Sequence, residues 1–338
     1  MLESSNRDLM ASTADLPRYI HLTADERSRQ AYSPANVQSA LEGLYQDGLL
    51  ILKGVVDVAH IDHLYRVMTS ETKSIMEDGR RAGKYNQGVN SNILQLPPVN
   101  RQDCLFDDVW FNPYVVQVAQ AYLGSKPVTN FCTANNALAG TGGMRQPVHK
   151  DITFHHPLCP FYFIANIVLS DFTEANGATE TWLGSHAHTT SLDQVPCTEE
   201  TKVRKQVPGD PSCNVKPEIV EERRKVRPPV QASCVKGDVM IRDLRTWHAG
   251  MPNQSANDRI MIGIGYQAPW YQNNTQRLFL PLEHANFFMK HGGQPVELRA
   301  NFCDQEHLDQ LWKNYDFTFE PSVSVVAPDK AQVNAKSV

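Results

Sequence analysis

The sequence of 338 residues lacks several features by which protein classes are recognised. Its seven cysteines are scattered, odd in number and never in Cys-x-x-Cys spacing, which argues against a disulfide framework and against a thiolate zinc site. No apolar run approaches the roughly 18 residues that span a membrane. The N-terminal stretch has acidic and polar residues where a signal peptide needs an apolar core. We therefore expect a cytoplasmic protein.

Neither sign of charge dominates the chain. It has 32 basic and 37 acidic residues, a formal net charge of −5 and no long run of either sign. We therefore expect neither a nucleic acid nor a membrane as partner. The sequence also has no internal repeat and no low-complexity tract, and its length alone does not choose between one large domain and two small ones.

Local signals predict the helices near the start of the chain. The pair Ser33-Pro34 is typical of a helix start and Gly48 of its end. Residues 49–52 read as a buried strand, and apolar residues recur at helical spacing over 61–75. A further helix is predicted over residues 113–122.

Apolar or alternating runs predict strands at residues 128–138, 161–169, 178–183 and 259–266. The run 161–169 is nearly continuously apolar, as expected of a strand that is covered on both faces. Asn166 interrupts it and is either a core amide with satisfied hydrogen bonds or a polar group of a pocket, and we favour the first.

Three side chains have the composition of a metal site. In an extended segment His149 and Asp151 point to the same face, because side chains two apart do so. We propose His248 as the third ligand, 97 residues after Asp151 (248 − 151). Two neutral imidazoles and one carboxylate with open positions form the facial triad of non-haem Fe(II) oxygenases.

A fourth residue, Arg259, begins the last predicted strand. Alternation places Arg259, Met261, Gly263 and Gly265 on one face and three isoleucines on the other. The face with the arginine is therefore roomy. Its planar guanidinium suits the far end of a small dicarboxylate, because it can bind a carboxylate through two hydrogen bonds.

These four residues, together with Asn176-Gly177-Ala178-Thr179, Leu183-Gly184-Ser185-His186 and Gly237-Asp238-Val239, resemble the phytanoyl-CoA hydroxylase-like (PhyH-type) Fe(II)/2-oxoglutarate dioxygenases. The resemblance covers roughly residues 35–285 and is strongest to the members used in fungal natural-product biosynthesis. Many relatives have Pro-Gly-Ser-His where this chain has Leu183-Gly184-Ser185-His186, a difference that changes a turn and no ligand.

The resemblance implies Fe(II), 2-oxoglutarate and dioxygen as cofactor and co-substrates. It implies that His149, Asp151 and His248 bind the iron and that Arg259 binds the far carboxylate of 2-oxoglutarate. The family residues that help to hold 2-oxoglutarate correspond to Gln146 and Thr179.

The resemblance also implies the reaction: oxidation of a C–H bond by hydroxylation, desaturation or oxidative rearrangement, coupled to decarboxylation of 2-oxoglutarate to succinate. Relatives that halogenate carry a small residue at the position of Asp151, so its carboxylate predicts no halogenation. Because no basic cluster calls for a coenzyme A thioester, we expect a free, moderately apolar small molecule of secondary metabolism. Phe154, His156 and Trp182 are expected in the pocket wall.

Several short strands with turn signals, and ligands far apart in sequence, favour a double-stranded β-helix, the cupin-like jelly roll. We expect a mixed α and β chain forming one domain over 1–338, with its core at about 30–290 and with helices from both ends backing that core. Residues 190–231 are rich in proline and charge and form either a surface insertion or a lid. Residues 321–338 are predicted to be disordered. The aromatic residues after position 277 could form a homodimer contact.

A competing cluster contains His155, His156, His186 and His188. These histidines could bind zinc, but their spacing fits no common zinc site, and we interpret them as residues around the pocket. The alternative function is therefore a cupin-like protein that binds zinc or a small ligand without oxygenase activity.

Overall fold

A computed structural model describes residues 16–77, 85–86, 91–140, 144–203, 206–272 and 278–308. In these ranges the α-helices are α1 Ala24–Arg29, α2 Pro34–Asp47, α3 Val58–Glu77, α4 Asp107–Trp110, α5 Pro113–Leu123, α6 Ser185–His188, α7 Pro217–Val226 and α8 Ala285–Lys290. The strands are β1 Arg18–His21, β2 Leu49–Lys53, β3 Asn92–Gln95, β4 Val128–Ala137, β5 Tyr162–Val168, β6 Glu180–Thr181, β7 Gln194–Pro196, β8 Pro211–Val215, β9 Val230–Gln231, β10 Val239–Asp243, β11 His248–Ala249, β12 Arg259–Gln267, β13 Phe279–Pro281, β14 Glu297–Leu298 and β15 Asn301–Cys303. Short 3₁₀ helices cover Gln102–Cys104, Glu174–Asn176, Ser191–Asp193, Leu282–His284 and His291–Gly293.

The main sheet has eight strands in the order β1-β2-β10-β5-β12-β4-β14, with β3 also paired to β4. Its central strands pair in antiparallel fashion, from β2 through β10, β5 and β12 to β4. The edge strands β1 and β14 join in parallel orientation. The chain therefore has the mixed α and β fold that the sequence predicted.

The two faces of the main sheet have different neighbours. One face carries Ile167, Ile241 and Ile262, which belong to the same buried apolar cluster as residues of α2, α3 and α5. This alternation is expected when a sheet buries one face against helices. The other face lines a cavity.

A second, smaller layer lies across that cavity. It contains the sheet β11-β6-β9 and the segment around His149, which pairs in antiparallel fashion with His248 of β11 and with Asn214 of β8. Residues of both layers line the cavity, which therefore lies between them.

The structure confirms the local helix predictions. The Ser33 side chain accepts a hydrogen bond from the backbone N–H of Asn36 and caps α2, which Gly48 ends with a φ of 69°. The predicted β2, α3 and α5 are also present. The predicted strand at 178–183 is shorter than expected, because only Glu180–Thr181 pair in a sheet.

Residues 190–231 include β7, β8, α7 and β9. Strand β8 lies beside the segment of His149, where Lys150 N–H donates to the carbonyl of Cys213 at 2.9 Å and Val215 N–H donates to Val148 at 2.9 Å. This part of the segment thus belongs to the second layer. The predicted disordered tail at 321–338 lies outside the described residues. Within the described residues, no helix combines the length and apolarity needed to cross a membrane.

Candidate active site

The three predicted ligands meet at one end of the cavity. Nε2 of His149 lies 3.8 Å from Oδ1 of Asp151, and Nε2 of His248 lies 3.5 Å from Oδ2. One potential ligand atom from each residue lies within 4.8 Å of the other two. This spacing fits a single metal ion bound by all three side chains.

Backbone pairing brings the two histidines together. His149 N–H donates to the carbonyl of His248 at 2.9 Å, and His248 N–H donates back at 3.0 Å, so the ring centroids lie 4.2 Å apart. The turn before His248 is fixed by the buried Asp243, whose carboxylate accepts hydrogen bonds from Nε and Nη2 of Arg245 at 2.9 and 2.8 Å. One antiparallel β-bridge thus brings together two ligands that are almost a hundred residues apart in the sequence.

The hydrogen bonds of both imidazoles leave Nε2 available for a metal. Nδ1–H of His149 donates to the carbonyl of Pro147 at 2.8 Å, and Nδ1–H of His248 donates to that of Thr246 at 3.2 Å. Burial lowers the pKa of both imidazoles, which favours the neutral form that binds metal. This pattern is the usual one for metal-binding histidines.

Asp151 is held as a carboxylate by Arg242, a residue that the sequence analysis missed. Burial would raise the pKa of Asp151, but the adjacent His248 imidazole and Arg242 guanidinium hold that pKa well below its usual range. Nη2 of Arg242 donates to Oδ2 at 2.5 Å. The signal in the sequence is a charged residue inside the apolar strand Val239–Asp243.

Arg259 reaches the same cavity from the main sheet. It is 1% exposed, and within the described residues its Nε and Nη1 atoms have no hydrogen-bond partner. Its guanidinium lies over the ring of Phe172 at 4.5 Å. Burial lowers its pKa to about 10, so it remains charged at neutral pH. A buried cation with unused donors fits the carboxylate of a ligand, because unsatisfied buried donors are costly.

The cavity has a volume of about 390 Å³, which lies within the range of small-molecule sites. Asn86, Asn92 and Gln146 line it, as does Thr179. Leu94 of β3 lines the cavity as well.

Gln146 and Thr179 both line the cavity. The amide of Gln146 is already engaged: its Oε1 accepts from Gly250 N–H at 2.7 Å and its Nε2 donates to the carbonyl of Asn86 at 3.0 Å. Gln146 therefore fixes the wall beside His248. A direct contact of Gln146 or Thr179 with 2-oxoglutarate stays a prediction.

Phe154, His156 and Trp182, which were expected to form the pocket wall, are not among the residues that line this cavity. Phe154 belongs to the main apolar cluster. His156 is buried beside Lys150, with Nε2 at 3.2 Å from Nζ, and Trp182 packs against other residues of the second layer. The two-residue alternation that aligns His149 and Asp151 leads to Thr153, which does line the cavity.

Asn166 also differs from the expectation. Its Nδ2 donates to the carbonyl of Met240 at 3.4 Å, but the residue lines the cavity. It is a polar group of the pocket as well as a partly satisfied amide.

The competing histidine cluster does not form a second metal site in the described part of the chain. None of His155, His156, His186 and His188 belongs to a group of potential ligand atoms there. The other such group is His63, Asp103 and Cys104, and Asp103 is already paired with Arg101 at 3.1 Å.

Two imidazoles and a carboxylate face a cavity, and on its opposite wall lies the buried Arg259, whose Nε and Nη1 have no partner among the described residues. This is the site of a 2-oxoglutarate-dependent iron enzyme. The family model described as "Phytanoyl-CoA dioxygenase (PhyH)" matches residues 44–261. The chain belongs to this family, and its cofactor and co-substrate are iron and 2-oxoglutarate.

Several solved structures are similar to this chain. EvdMO1 is 21% identical over 69% of this chain, with a TM-score of 0.49, and the match spans 50% of that protein. AviO1 from Streptomyces viridochromogenes Tue57 is 19% identical over 71% of this chain and 98% of its own, with a TM-score of 0.48. The epimerase SnoN, solved with Fe3+, alpha ketoglutarate and nogalamycin RO, is 15% identical over 70% of this chain and 84% of its own, with a TM-score of 0.49.

Proposed function

We propose that the protein is a non-haem Fe(II)- and 2-oxoglutarate-dependent dioxygenase that oxidises a C–H bond of a small, moderately apolar molecule in secondary metabolism. The outcome is hydroxylation, desaturation or oxidative rearrangement, coupled to conversion of 2-oxoglutarate to succinate. The observation that carries this proposal is one cavity that holds both the ligand cluster of His149, Asp151 and His248 and the guanidinium of Arg259, whose Nε and Nη1 have no partner among the described residues. We interpret the two layers around this cavity as the halves of a jelly roll. A cytoplasmic location and a homodimer remain predictions.

Bound iron and 2-oxoglutarate supply the oxidising chemistry, and the protein supplies position and exclusion of water. His149 and His248 offer Nε2, and Asp151 offers a carboxylate whose Oδ2 is held by Arg242. Arg259 binds the far carboxylate of 2-oxoglutarate through donors that are unused without it. The co-substrate is thereby fixed at both ends.

Titration of 2-oxoglutarate under nitrogen tests the ligand set. The wild-type protein with Fe(II) is expected to give the weak visible charge-transfer band of an Fe(II)–2-oxoglutarate chelate, which zinc cannot give. Alanine at His149, Asp151 or His248 should abolish this band and lower bound iron at least about tenfold, while circular dichroism remains unchanged. His155→Ala is the matched control, because His155 instead bonds to Ser191 at 2.7 Å. A band retained in any of the three variants would remove that residue from the ligand set.

The reaction itself is tested by a screen for substrate-dependent succinate release. Polyketide, terpenoid, alkaloid and amino-acid candidates are supplied with Fe(II), 2-oxoglutarate and dioxygen, and the mass of each product is recorded. Hydroxylation adds one oxygen atom and desaturation removes two hydrogen atoms, so the mass separates these two outcomes. A protein that binds zinc or a small ligand without oxygenase activity would release no succinate with any candidate and would give no charge-transfer band.

A further inference from the structure

The cavity has a second cationic position, far from Arg259 along the main sheet. Arg242 of β10 pairs with Ile164 of β5, which pairs with Gly265 of β12. Arg259 precedes Gly265 by six residues (265 − 259) on the same strand. At a rise of about 3.3 Å per residue, the backbones of the two arginines are offset by roughly 20 Å along the strands. They therefore serve different parts of the cavity.

Arg242 is only partly used by its neighbours. It is 5% exposed, and its Nη2 donates to Asp151. Its Nη1 atom is buried without a hydrogen-bond partner in the part of the chain that the structure describes. The wall around it includes the apolar side chains of Phe131 and Ile164 and the hydroxyl of Thr153. A planar guanidinium can hold Asp151 with one nitrogen and a ligand with the other.

The charges in the cavity are not balanced by iron and 2-oxoglutarate alone. Among the described lining residues, those with a formal charge are Lys150, Asp151, Arg242 and Arg259. The Nζ of Lys150 points away and donates to the carbonyl of Thr190 at 3.0 Å. The two arginines and a divalent iron supply four positive charges, and Asp151 and the 2-oxoglutarate dianion supply three negative ones. One positive charge remains, and a buried uncompensated charge is costly.

We propose that the oxidised substrate is a small carboxylic acid whose carboxylate binds Nη1 of Arg242 while its apolar body packs on Phe131 and Ile164. A single negative charge balances the cavity, whereas a phosphate dianion or a coenzyme A thioester would overcompensate it. The carbon atoms next to the carboxylate then lie nearest to Asp151 and the metal. This inference rests on the proposed function, because iron and 2-oxoglutarate enter the charge balance.

Matched pairs of acids and amides test the proposal on the wild-type protein. The protein is loaded with Mn(II), which does not support turnover, and with saturating 2-oxoglutarate, so that Arg259 is occupied. Calorimetry then compares phenylacetate with phenylacetamide and cyclohexanecarboxylate with cyclohexanecarboxamide. We expect each acid to bind at least about tenfold more tightly than its amide, because hydrogen bonds to charged groups are the stronger ones. Equal binding of acid and amide would overturn the proposal without any variant.

Two variants of Arg242 test whether the preference for acids depends on this residue. Arg242→Gln keeps an N–H donor for Asp151 but loses the positive charge. Arg242→Lys keeps the charge but loses the paired donors of the planar guanidinium. We expect the preference for acid over amide to vanish in Arg242→Gln and to survive in part in Arg242→Lys. A full preference for the acid in Arg242→Gln would contradict the assignment. If Arg242→Gln does not retain metal, the proposal is still tested by Arg242→Lys and by the acid and amide pairs titrated against the wild-type protein.

The same titrations separate this inference from the function on which it rests. A wild-type protein that binds neither Mn(II) nor 2-oxoglutarate would refute the proposed function and the inference together. A protein that binds both but does not prefer acids would refute the inference alone. An acid that displaces 2-oxoglutarate instead of binding beside it would place the acid at Arg259 and also refute it.

Discussion

Arg259 is a buried charge on the wall of the cavity, and its donors are only partly used by the described residues. The residue is almost completely covered, its guanidinium lies over the ring of Phe172, and its Nε and Nη1 atoms have no hydrogen-bond acceptor among the described residues. Such a charge contributes little to folding, because replacing a buried charge by an apolar side chain of similar size is often neutral or stabilising. Its presence is therefore better explained by ligand binding than by stability.

Arg259→Met should separate these two roles. Removal of one partner of a buried charge pair costs about 2–5 kcal/mol, so we expect the affinity for 2-oxoglutarate to fall at least about 30-fold. The midpoint of thermal unfolding without ligands should stay the same or rise. Calorimetric titration with 2-oxoglutarate and thermal unfolding measure the two effects. Arg66→Met, on the exposed side of α3, is the control, and an unchanged 2-oxoglutarate affinity in Arg259→Met would refute the assigned role.

The site residues that could be predicted from sequence are those whose geometry is local or whose spacing is shared by a family. His149 and Asp151 follow from alternation, and Arg259 follows from its place on a strand with a small-residue face. Arg242 could not be assigned in this way, because its role depends on which strand lies opposite Asp151. Trp182 was placed wrongly because nearness in sequence to a ligand does not fix the side to which a side chain points.

At the scale of elements, the start of the described chain is held by one buried carboxylate. Glu26 of α1 accepts hydrogen bonds from the backbone N–H groups of Thr23 and Ser33 at 2.9 and 2.7 Å and from Nδ2 of Asn36 at 2.9 Å. Ser33 and Asn36 belong to the start of α2, so Glu26 joins the two helices. Burial would raise its pKa, but the hydrogen bonds from Thr23 and Ser33 prevail and lower it to about 2.

Glu26→Gln should therefore change how stability depends on pH. The folded pKa lies below the ordinary value of 4.5, so the contribution of Glu26 is complete above about pH 4.5 and is lost as the pH falls towards 2. Between pH 7 and about pH 3.5, we expect the wild-type protein to lose about 1 kcal/mol more stability than the variant. Urea unfolding of the metal-free proteins at both pH values measures this difference. Equal losses in the two proteins would show that Glu26 is not preferentially ionised in the folded state.

The elements differ in how far the sequence reveals them. Helix α2 was predictable because its cap, its apolar period and its final glycine all lie within the helix or next to it. Strand β6 was predicted too long, and β8 was not predicted, because both strands are defined by pairing with other segments. Strand β6 lies between β11 and β9, and β8 lies beside β7 and the segment of His149. Pairing between distant segments leaves little local signal.

At the scale of the whole molecule, the ligands of the site belong to two layers. His149, Asp151 and His248 lie in the second layer, whereas Arg259 and Arg242 lie in the main sheet. Arg242 donates a hydrogen bond to Asp151 and so joins the two layers directly at the site. In the proposed function, a metal with bound 2-oxoglutarate would add a second connection, from the triad to Arg259.

This second connection predicts stabilisation that requires both ends of the co-substrate. A ligand that binds only the folded protein stabilises it by about 2.7 kcal/mol at a concentration of 100 times its dissociation constant, which raises the unfolding midpoint of a chain of this size by a few °C. We expect Mn(II) with 2-oxoglutarate to give this shift, Mn(II) alone to give less, and a chelator to reverse it. Glutarate keeps both carboxylates but lacks the keto oxygen, so it should stabilise less at equal concentration. A glutarate shift as large as that of 2-oxoglutarate would mean that Arg259 binds the diacid without chelation at the metal.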